Sequence, residues 1–200
     1  MSSTDTVRDV GPARPRRADA LRNYEKLIGA AREAFAERGA SSSLEDIARR
    51  AQVGIGTLYR HFPNRQTLLE AVYVDEVQAL CRSATDLAEL PPWEALAAWL
   101  RRLVGYLATK QALAEELFSY VDRDAALFQS CRAGLFAAGE PLLERAQQAH
   151  KVRADTNLME IIQMLGGIAK IQGLDREQVD HILDIALDGL RYQPPGASAQ

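Results

Sequence analysis

Residues 42–65, SSLEDIARRAQVGIGTLYRHFPNR, constrain the fold of this chain more than any other stretch. They divide into two short helical segments, with a tight turn at Gln52, Val53 and Gly54 between them. The second segment carries Gly, Thr, Tyr, Arg and His where a core helix would carry leucine. Two short helices in this order form a helix-turn-helix, whose second helix enters the major groove of DNA.

The remaining sequence predicts an all-α protein. Alanine and leucine dominate, β-branched residues are few, and aromatic residues make up only 6% of the chain, a composition that favours helices over strands. Apolar periodicity predicts about nine helices, arranged as a three-helix head that carries the helix-turn-helix and a larger helical body. In the body, separate helices are expected at 93–109 and 111–121, and Pro141 is expected to kink or divide another.

Domain boundaries follow from the same periodicity. Residues 1–18 lack an apolar period and are expected to form a disordered basic arm. The helix-turn-helix domain, called the head below, is expected at 19–65 and the larger helical domain at 66–192. Residues 193–200 contain two prolines and a glycine and are expected to form a disordered tail.

Charge is distributed unevenly along the chain. Between Arg14 and Arg65 there are eleven Lys and Arg against six Asp and Glu, whereas the residues after Arg65 hold twelve against nineteen. A basic head on an acidic body indicates that a polyanionic partner meets only the N-terminal quarter. The alternative is a surface whose charges are arranged without regard to any partner.

Several other classes of protein are not supported by the sequence. The sequence contains no run of about 18 uncharged apolar residues, so no transmembrane helix is expected. No apolar segment follows the N-terminal arginines, so no signal peptide is expected. Two distant cysteines, Cys81 and Cys131, suit a reducing cytoplasm. No catalytic triad, phosphate-binding glycine loop or carboxylate pair stands out, and His150 and His181 lack zinc-ligand spacing. We therefore expect a cytoplasmic protein that is not an enzyme and needs neither metal nor cofactor.

Eight residues of the head are candidates for contact with DNA. The glycines allow the backbone of the third helix to approach a phosphate, hydroxyl and imidazole groups can bracket the groove, and an arginine can pair with guanine at two points. A serine and an arginine at the starts of the neighbouring helices can clamp the flanking backbones. The candidates are Ser43, Gly54, Gly56, Thr57, Tyr59, Arg60, His61 and Arg65. A lone Tyr or His on a short helix is more often an ordinary surface residue, so the prediction depends on the combination.

Residues 19–70 resemble the DNA-binding domain of TetR-family transcriptional repressors. The resemblance lies in Ala30-Ala31, Phe35-Ala36, Gly39, Ser43, Leu44, Ile47, Ala48, the run VGIGTLYRHF at 53–62, Arg65 and Leu68-Leu69. The stretch from Phe118 to Leu190 is similar to the SbtR-type C-terminal domain of that family. The resemblance implies a homodimer that binds a palindromic operator and represses transcription until a small molecule releases it.

The resemblance also implies roles for individual residues. Phosphate contacts fall on Thr57, Tyr59, His61 and Arg65, and groove-facing positions on Gly56 and Arg60. Some members place an N-terminal arginine arm in the minor groove, which makes Arg14, Arg16 and Arg17 candidates for that role. Many members carry Ser and a polar residue where this chain has Gly54-Ile55-Gly56, so one side-chain phosphate contact is expected to be missing.

Two apolar stripes near the C-terminus predict a dimer interface. Two such helices from each subunit form a four-helix bundle about a two-fold axis, and the alternative is that the stripes belong to the internal core. The predicted interface residues are Leu158, Ile161, Ile162, Leu165, Val179, Ile182, Leu183, Ala186, Leu187 and Leu190.

An apolar set of side chains in the body is the candidate effector pocket. The pocket is expected between the fourth helix and the helix that contains Pro141. The candidate lining residues are Trp99, Leu103, Tyr106, Phe118, Phe128, Cys131 and Phe136. Each of them is individually more often a core residue than a ligand contact. The set contains no charged residue, which favours a mostly apolar, neutral effector.

Two other functions remain open from the sequence. One is a thiol-based redox regulator, in which Cys81 is exposed and reactive, although only Arg82 stands nearby to lower its pKa. The other is a helical interaction or scaffold protein without specific DNA binding. Steep salt dependence of DNA affinity distinguishes a regulator from a scaffold.

Overall fold

A computed structural model describes residues 12, 14–15, 17–38, 42–120, 122, 125–171, 173 and 175–192. Arg16, most of the predicted arm and the whole predicted tail lie outside the described residues. Within them, all regular structure is helical apart from one isolated antiparallel bridge between Val152 and Arg191. The predicted all-α fold is confirmed. None of the helices described has the length and apolar character needed to cross a membrane.

Eight helices form the described part of the chain, against about nine expected. They are α1 (Ala18–Arg38), α2 (Leu44–Arg50), α3 (Ile55–His61), α4 (Arg65–Asp86), α5 (Pro92–Leu117), α6 (Ala126–Gln148), α7 (Leu158–Ile168) and α8 (Arg176–Gly189). The difference arises because α5 is one continuous helix where two were expected. Lys110 and Gln111 interrupt its apolar stripe, but neither is a helix breaker. Likewise, α6 runs through Pro141 without ending there.

The chain divides into two compact units. The first comprises Met1–Ala79 and Thr109–Gly134, and the second comprises Leu80–Ala108 and Leu135–Gln200. The first unit therefore contains the whole predicted head together with the end of α5 and the beginning of α6. The helices α4, α5 and α6 each contribute residues to both units, which is why periodicity along the chain does not reveal the division.

The head has its own apolar core inside the first unit. Tyr24, Leu27 and Phe35 of α1 are buried, and α1 packs against both α2, where Ile47 is buried, and α3, where Leu58 is buried. A hydrogen bond from the Ser42 hydroxyl to the Ala34 carbonyl, at 2.7 Å, fixes the residue that precedes the α2 cap. This core holds the two short helices in place, since helices of seven residues are not stable alone in water.

The core of the second unit is organised around Trp99. Its indole is fully buried and donates a hydrogen bond to the Leu80 carbonyl at 3.2 Å. Gly139 of α6 lies against the indole, and a Cβ there would be 2.5 Å from Trp99 Cη2 and 2.9 Å from Leu158 Cδ2. Any side chain at position 139 would therefore separate α6 from the ring.

The predicted dimer residues differ in how deeply they are buried within a single subunit. Six of the ten are 6% exposed or less within a single subunit: Leu158, Ile161, Leu165, Leu183, Leu187 and Leu190. They belong to the core of the second unit, because the strongest apolar stripe of a helix packs inward first. Four are partly exposed: Ile162, Val179, Ile182 and Ala186. The most exposed apolar side chains of the two helices are Met164 and Ile185, at 37% and 60%, and neither was among the predicted ten.

We expect Gly139→Ala to lower the free energy of unfolding by about 1–3 kcal/mol, because the added methyl group overpacks the site beside Trp99. The matched control is Gly105→Ala on α5, where an added Cβ meets nothing within 4 Å. That substitution should raise stability by about 0.5–1 kcal/mol, the usual gain for alanine over glycine in a helix. Urea unfolding followed by circular dichroism measures both values, and equal effects would contradict the close packing.

Candidate nucleic-acid interface

The turn between α2 and α3 does not depend on its glycine. The left-handed residue is Gln52, with φ of 55°. Gly54 precedes α3 as its N-cap residue with φ of −62° and ψ of 141°, a conformation open to any residue. A Cβ added at Gly54 or Gly56 would meet nothing within 4 Å. Neither the backbone nor internal packing requires these two glycines, so the space they leave free lies outside the chain.

The inner face of α3 is fixed by burial and its outer face is open. Leu58 is fully buried, as is Phe62, whose ring lies 5.2 Å from that of Tyr24. On the outer face, Tyr59 is 44% exposed and Arg60 is exposed as well. Neither the Tyr59 hydroxyl nor the Arg60 guanidinium has a hydrogen-bond or ion-pair partner among the described residues. Both polar groups therefore face solvent on the outer side of α3.

Ile55 is a member of this face that the sequence did not suggest. It is 39% exposed and is followed one helical turn later by Tyr59. Isoleucine is ordinarily assigned to the core, so only the exposure of Ile55 in the structure identifies it. Exposed apolar side chains on a helix in the major groove can contact the methyl group of thymine.

His61 and Thr57 are only partly exposed. The His61 ring stands edge-on to Tyr24, with centroids 6.1 Å apart. Burial lowers the pKa of His61 below its usual value and so favours the neutral form of the ring. In that form the ring can donate a hydrogen bond to a phosphate.

Ser43 has a structural role at the start of α2. Its hydroxyl oxygen accepts a hydrogen bond from the Asp46 amide at 3.0 Å and so caps the helix. The hydroxyl proton is not used by this bond and can be donated to a phosphate. The geometry is thus compatible with both the structural and the predicted DNA-binding role.

Arg65 is held inside the first unit. Its guanidinium donates to the Glu116 carboxylate and to the Ser42 carbonyl, and it lies 5.1 Å from the centre of the Phe35 ring. The side chains of Arg65 and Glu116 are 20% and 10% exposed. The resemblance implies a phosphate contact for Arg65, whereas here its guanidinium connects α1, the residue before the α2 cap and the end of α5.

The structure describes two of the three arginines proposed for the arm, Arg14 and Arg17. Arg14 forms an ion pair with Asp75 of α4 at 2.5 Å, and its guanidinium lies 5.8 Å from the centre of the Tyr24 ring. Arg17 is exposed. Arg16 lies outside the described residues.

Most described arginines of the arm and the head are paired within the protein. Ion pairs to Asp or Glu engage Arg14, Arg22, Arg32, Arg38, Arg49, Arg50 and Arg65. Three described cations of the arm and the head have no hydrogen bond or ion pair from their side chains among the described residues: Arg17, Lys26 and Arg60. A count of charges therefore overstates the positive charge that is free to meet DNA. Lys26 was not predicted, because the sequence does not distinguish paired from unpaired cations.

The two cysteines do not have the surroundings of a redox sensor. Both are buried, and burial raises the pKa of the Cys81 thiol to about 11. Very little thiolate is present at neutral pH at such a pKa, so reaction with oxidants is slow. In the described part of the chain, no three His, Cys, Asp or Glu side chains are grouped as metal ligands.

The predicted pocket residues are divided between the two units. Phe118, Phe128 and Cys131 belong to the first, and Trp99, Leu103, Tyr106 and Phe136 belong to the second. In the first unit, the Phe128 ring lies 5.1 Å from Phe118 and 5.2 Å from Tyr73, and these three rings are called the aromatic cluster below. Trp99 is a core residue that contacts Gly139. A groove of about 780 Å³ in the second unit is lined by α5, α7 and α8 and by none of the seven residues.

Two family descriptions match successive parts of the chain. "Bacterial regulatory proteins, tetR family" matches residues 27–72, which include α2, α3 and the exposed face described above. "Transcriptional regulator SbtR-like, C-terminal domain" matches residues 91–192, from just before α5 to the last residue described.

Solved structures of similar sequence support the same relationship over nearly the whole chain. A TetR transcriptional regulator from Streptomyces coelicolor is 40% identical, with a TM-score of 0.76 over 86% of this chain and 99% of that protein. A TetR transcription regulatory protein from Mycobacterium vanbaalenii is 34% identical, with a TM-score of 0.72 over 88% of this chain and 99% of that protein.

Curated relatives match a shorter part. The Tn10 TetC protein of Escherichia coli is 32% identical over 42% of this chain. The transcriptional regulator UidR of E. coli K12 is 37% identical over 28% of it. The chain spans 44% and 30% of the lengths of these two proteins, less than half of either.

We expect Arg65→Gln to lower the free energy of unfolding by about 1–3 kcal/mol, because it leaves the nearly buried Glu116 carboxylate without its cation. The matched control is Arg60→Gln, which removes the same charge from an exposed side chain without a partner and should change stability by less than about 0.5 kcal/mol. Thermal or urea unfolding measures the difference. Equal stability of the two variants would contradict the internal role of Arg65.

Proposed function

Because the chain belongs to the TetR family of bacterial transcriptional regulators, we propose that it is a homodimeric repressor released from a palindromic operator by a small molecule. The observation that carries the DNA-binding part is the outer face of α3. There, Tyr59 and Arg60 are exposed without internal partners beside two glycines that neither the turn nor the packing requires. This arrangement suits a helix whose backbone approaches DNA closely.

The proposal assigns a role to each residue of this face and to Ser43. Arg60 reads the edge of a guanine with two hydrogen bonds, and Ile55 contacts a thymine methyl group. The Tyr59 hydroxyl, the Thr57 hydroxyl and neutral His61 donate hydrogen bonds to phosphates, as does Ser43 from the start of α2. Gly54 and Gly56 keep the phosphates within reach of the α3 backbone. Contacts to phosphate fix the position of the protein, and contacts to bases provide the specificity.

Dimerisation is proposed through the outward side of α7 and α8. Its apolar residues are Ile162, Met164, Ile182, Ile185 and Ala186, of which Ile185 is the most exposed. Exposed apolar side chains on two adjacent helices are typical of a surface that a second subunit covers. A two-fold dimer presents two α3 helices to the two halves of a palindrome.

Release by an effector is proposed to act through the end of α5. Phe118 of the aromatic cluster comes two residues after Glu116, the partner of Arg65. A mostly apolar effector that contacts this cluster would displace the end of α5 and disturb the pair between Glu116 and Arg65. The Ser42 carbonyl, which Arg65 also holds, precedes the cap of α2. The effector then favours a position of the head that no longer matches the operator.

Selection of bound sequences from a random duplex pool tests the DNA-binding proposal. We expect a palindrome whose half-sites lie about one helical turn apart, or slightly more. Arg60→Ala should select the same half-site spacing with relaxed preference at one base pair, at a cost of about 1–3 kcal/mol for the preferred base. Tyr59→Phe should weaken binding to all sequences alike. If folded wild-type protein enriches no sequence, specific DNA recognition is overturned.

We expect Ile185→Glu to raise the dissociation constant of the dimer about tenfold or more, because it places an unpaired charge in the proposed apolar contact. The matched control is Leu90→Glu. Leu90 is 42% exposed and lies between α4 and α5, away from α7 and α8 in the sequence. Analytical ultracentrifugation over a range of concentrations measures both constants. A dimer that tolerates Ile185→Glu as well as Leu90→Glu would be assembled through another surface.

A further inference from the structure

Arg14 is expected from the resemblance to reach toward DNA, but its guanidinium is bound to α4. The Nη2 atom of Arg14 lies 2.5 Å from Oδ1 of Asp75. Its guanidinium carbon also lies 5.8 Å from the centre of the Tyr24 ring, within the range of a cation–π contact. Arg14 precedes the first residue of α1 by four positions. These contacts therefore hold the root of the arm against the first unit.

The Asp75 carboxylate is shared between two arginines. Its Oδ2 accepts a hydrogen bond from Arg32 of α1 at 2.7 Å, and Arg32 also pairs with Glu76. The Asp75 side chain is 13% exposed, whereas that of Arg14 is 39% exposed. A charge-assisted bond to a carboxylate with so little water around it is stronger and less screened by salt than one at an open surface. Arg32 keeps Glu76 as a partner even when Asp75 loses its charge.

A guanidinium that donates to a carboxylate cannot use the same N–H groups for a phosphate. The geometry of the two acceptors is similar, since both offer a pair of anionic oxygens to the arginine. Asp75 thus occupies the place that a DNA phosphate or minor-groove acceptor would take. The Nη2 group of Arg14 can turn to DNA only after it leaves this partly buried carboxylate.

We propose that Asp75 is a specificity-determining residue, which withholds Arg14 from DNA by acting as an internal substitute for a phosphate. This inference rests on the proposed function, because it concerns how much positive charge the arm and the head together offer to DNA. Attraction between arginine and the DNA backbone does not depend on base sequence. The ion pair therefore lowers affinity for non-operator DNA and leaves recognition to the outer face of α3.

The test uses four single or double variants of the full chain. Asp75→Asn removes the charge and keeps the shape, Arg14→Gln removes the other partner, and a double variant combines both. Glu70→Gln is the matched control, since it removes one negative charge from α4 at a residue whose carboxylate accepts only from Gln66 in the described contacts. Affinity for a non-operator duplex is measured by fluorescence anisotropy at roughly 50–200 mM KCl, a range over which phosphate contacts change affinity strongly.

Asp75→Asn should bind the non-operator duplex about three- to tenfold more tightly than wild type at the lower salt concentration. The slope of the logarithm of affinity against the logarithm of salt concentration should become steeper by about one for each arm that contacts DNA. Arg14→Gln alone should bind like wild type, and the double variant should lose the gain. Glu70→Gln should change affinity by less than about twofold, because the Glu70 carboxylate accepts from Gln66 and holds no arginine in the described contacts. If Asp75→Asn behaves like Glu70→Gln, or if Arg14→Gln weakens binding, the proposal is overturned.

Limited trypsin digestion provides a readout that does not involve DNA. Release of the arm root in Asp75→Asn should speed cleavage after Arg17 relative to wild type, while Glu70→Gln should leave the rate unchanged. Unchanged cleavage in Asp75→Asn overturns the restraint on Arg14. If the variants are cleaved as expected but wild type binds no duplex of any sequence, the proposed function fails together with the DNA role of Asp75. If wild type binds its selected palindrome and Asp75→Asn shows no gain, only the inference fails.

Discussion

The burial of Leu58 and Phe62 beneath α3 determines what this protein can offer to a partner. Once these two side chains are fixed against Tyr24 and the rest of the head core, the helix has a single rotational setting. That setting directs Ile55, Tyr59 and Arg60 outward and leaves His61 half-buried. A helix of only two turns is not stable alone in water, so α3 depends on its packing against α1 and α2 to hold this face in position.

Arginine has two different uses in the head. Arg65 is surrounded by Phe35, the Ser42 carbonyl and Glu116, and its planar guanidinium satisfies all three at once. Arg60 has the same side chain but no internal contact among the described residues. The contacts of Arg65 stabilise the head and join it to the end of α5. The exposed guanidinium of Arg60 leaves a charged group free on the outer face of α3. Net charge alone does not separate these uses.

The sequence predicted the helix-turn-helix closely, because capping serine, turn, buried leucine and terminal Phe-Pro are all local signals. The two short helices lie on either side of the predicted turn at Gln52, Val53 and Gly54. What it could not predict depends on long-range contacts. The pairing of Arg14 with Asp75 spans 61 positions, and the inward orientation of Leu183 and Leu187 depends on which side of α8 meets the rest of the unit. The continuity of α5 was not predicted, because Lys110 and Gln111 interrupt its apolar stripe without ending the helix.

The contact between Trp99 and Gly139 has a consequence for how sequences of this kind can diverge. The two positions share one fixed volume, so their side chains cannot be enlarged independently. A lineage that acquires a larger residue at 139 must first, or simultaneously, reduce the residue at 99. Related chains should therefore show an inverse relation between side-chain sizes at these two positions, and the indole itself marks the lineages in which position 139 remained without a side chain.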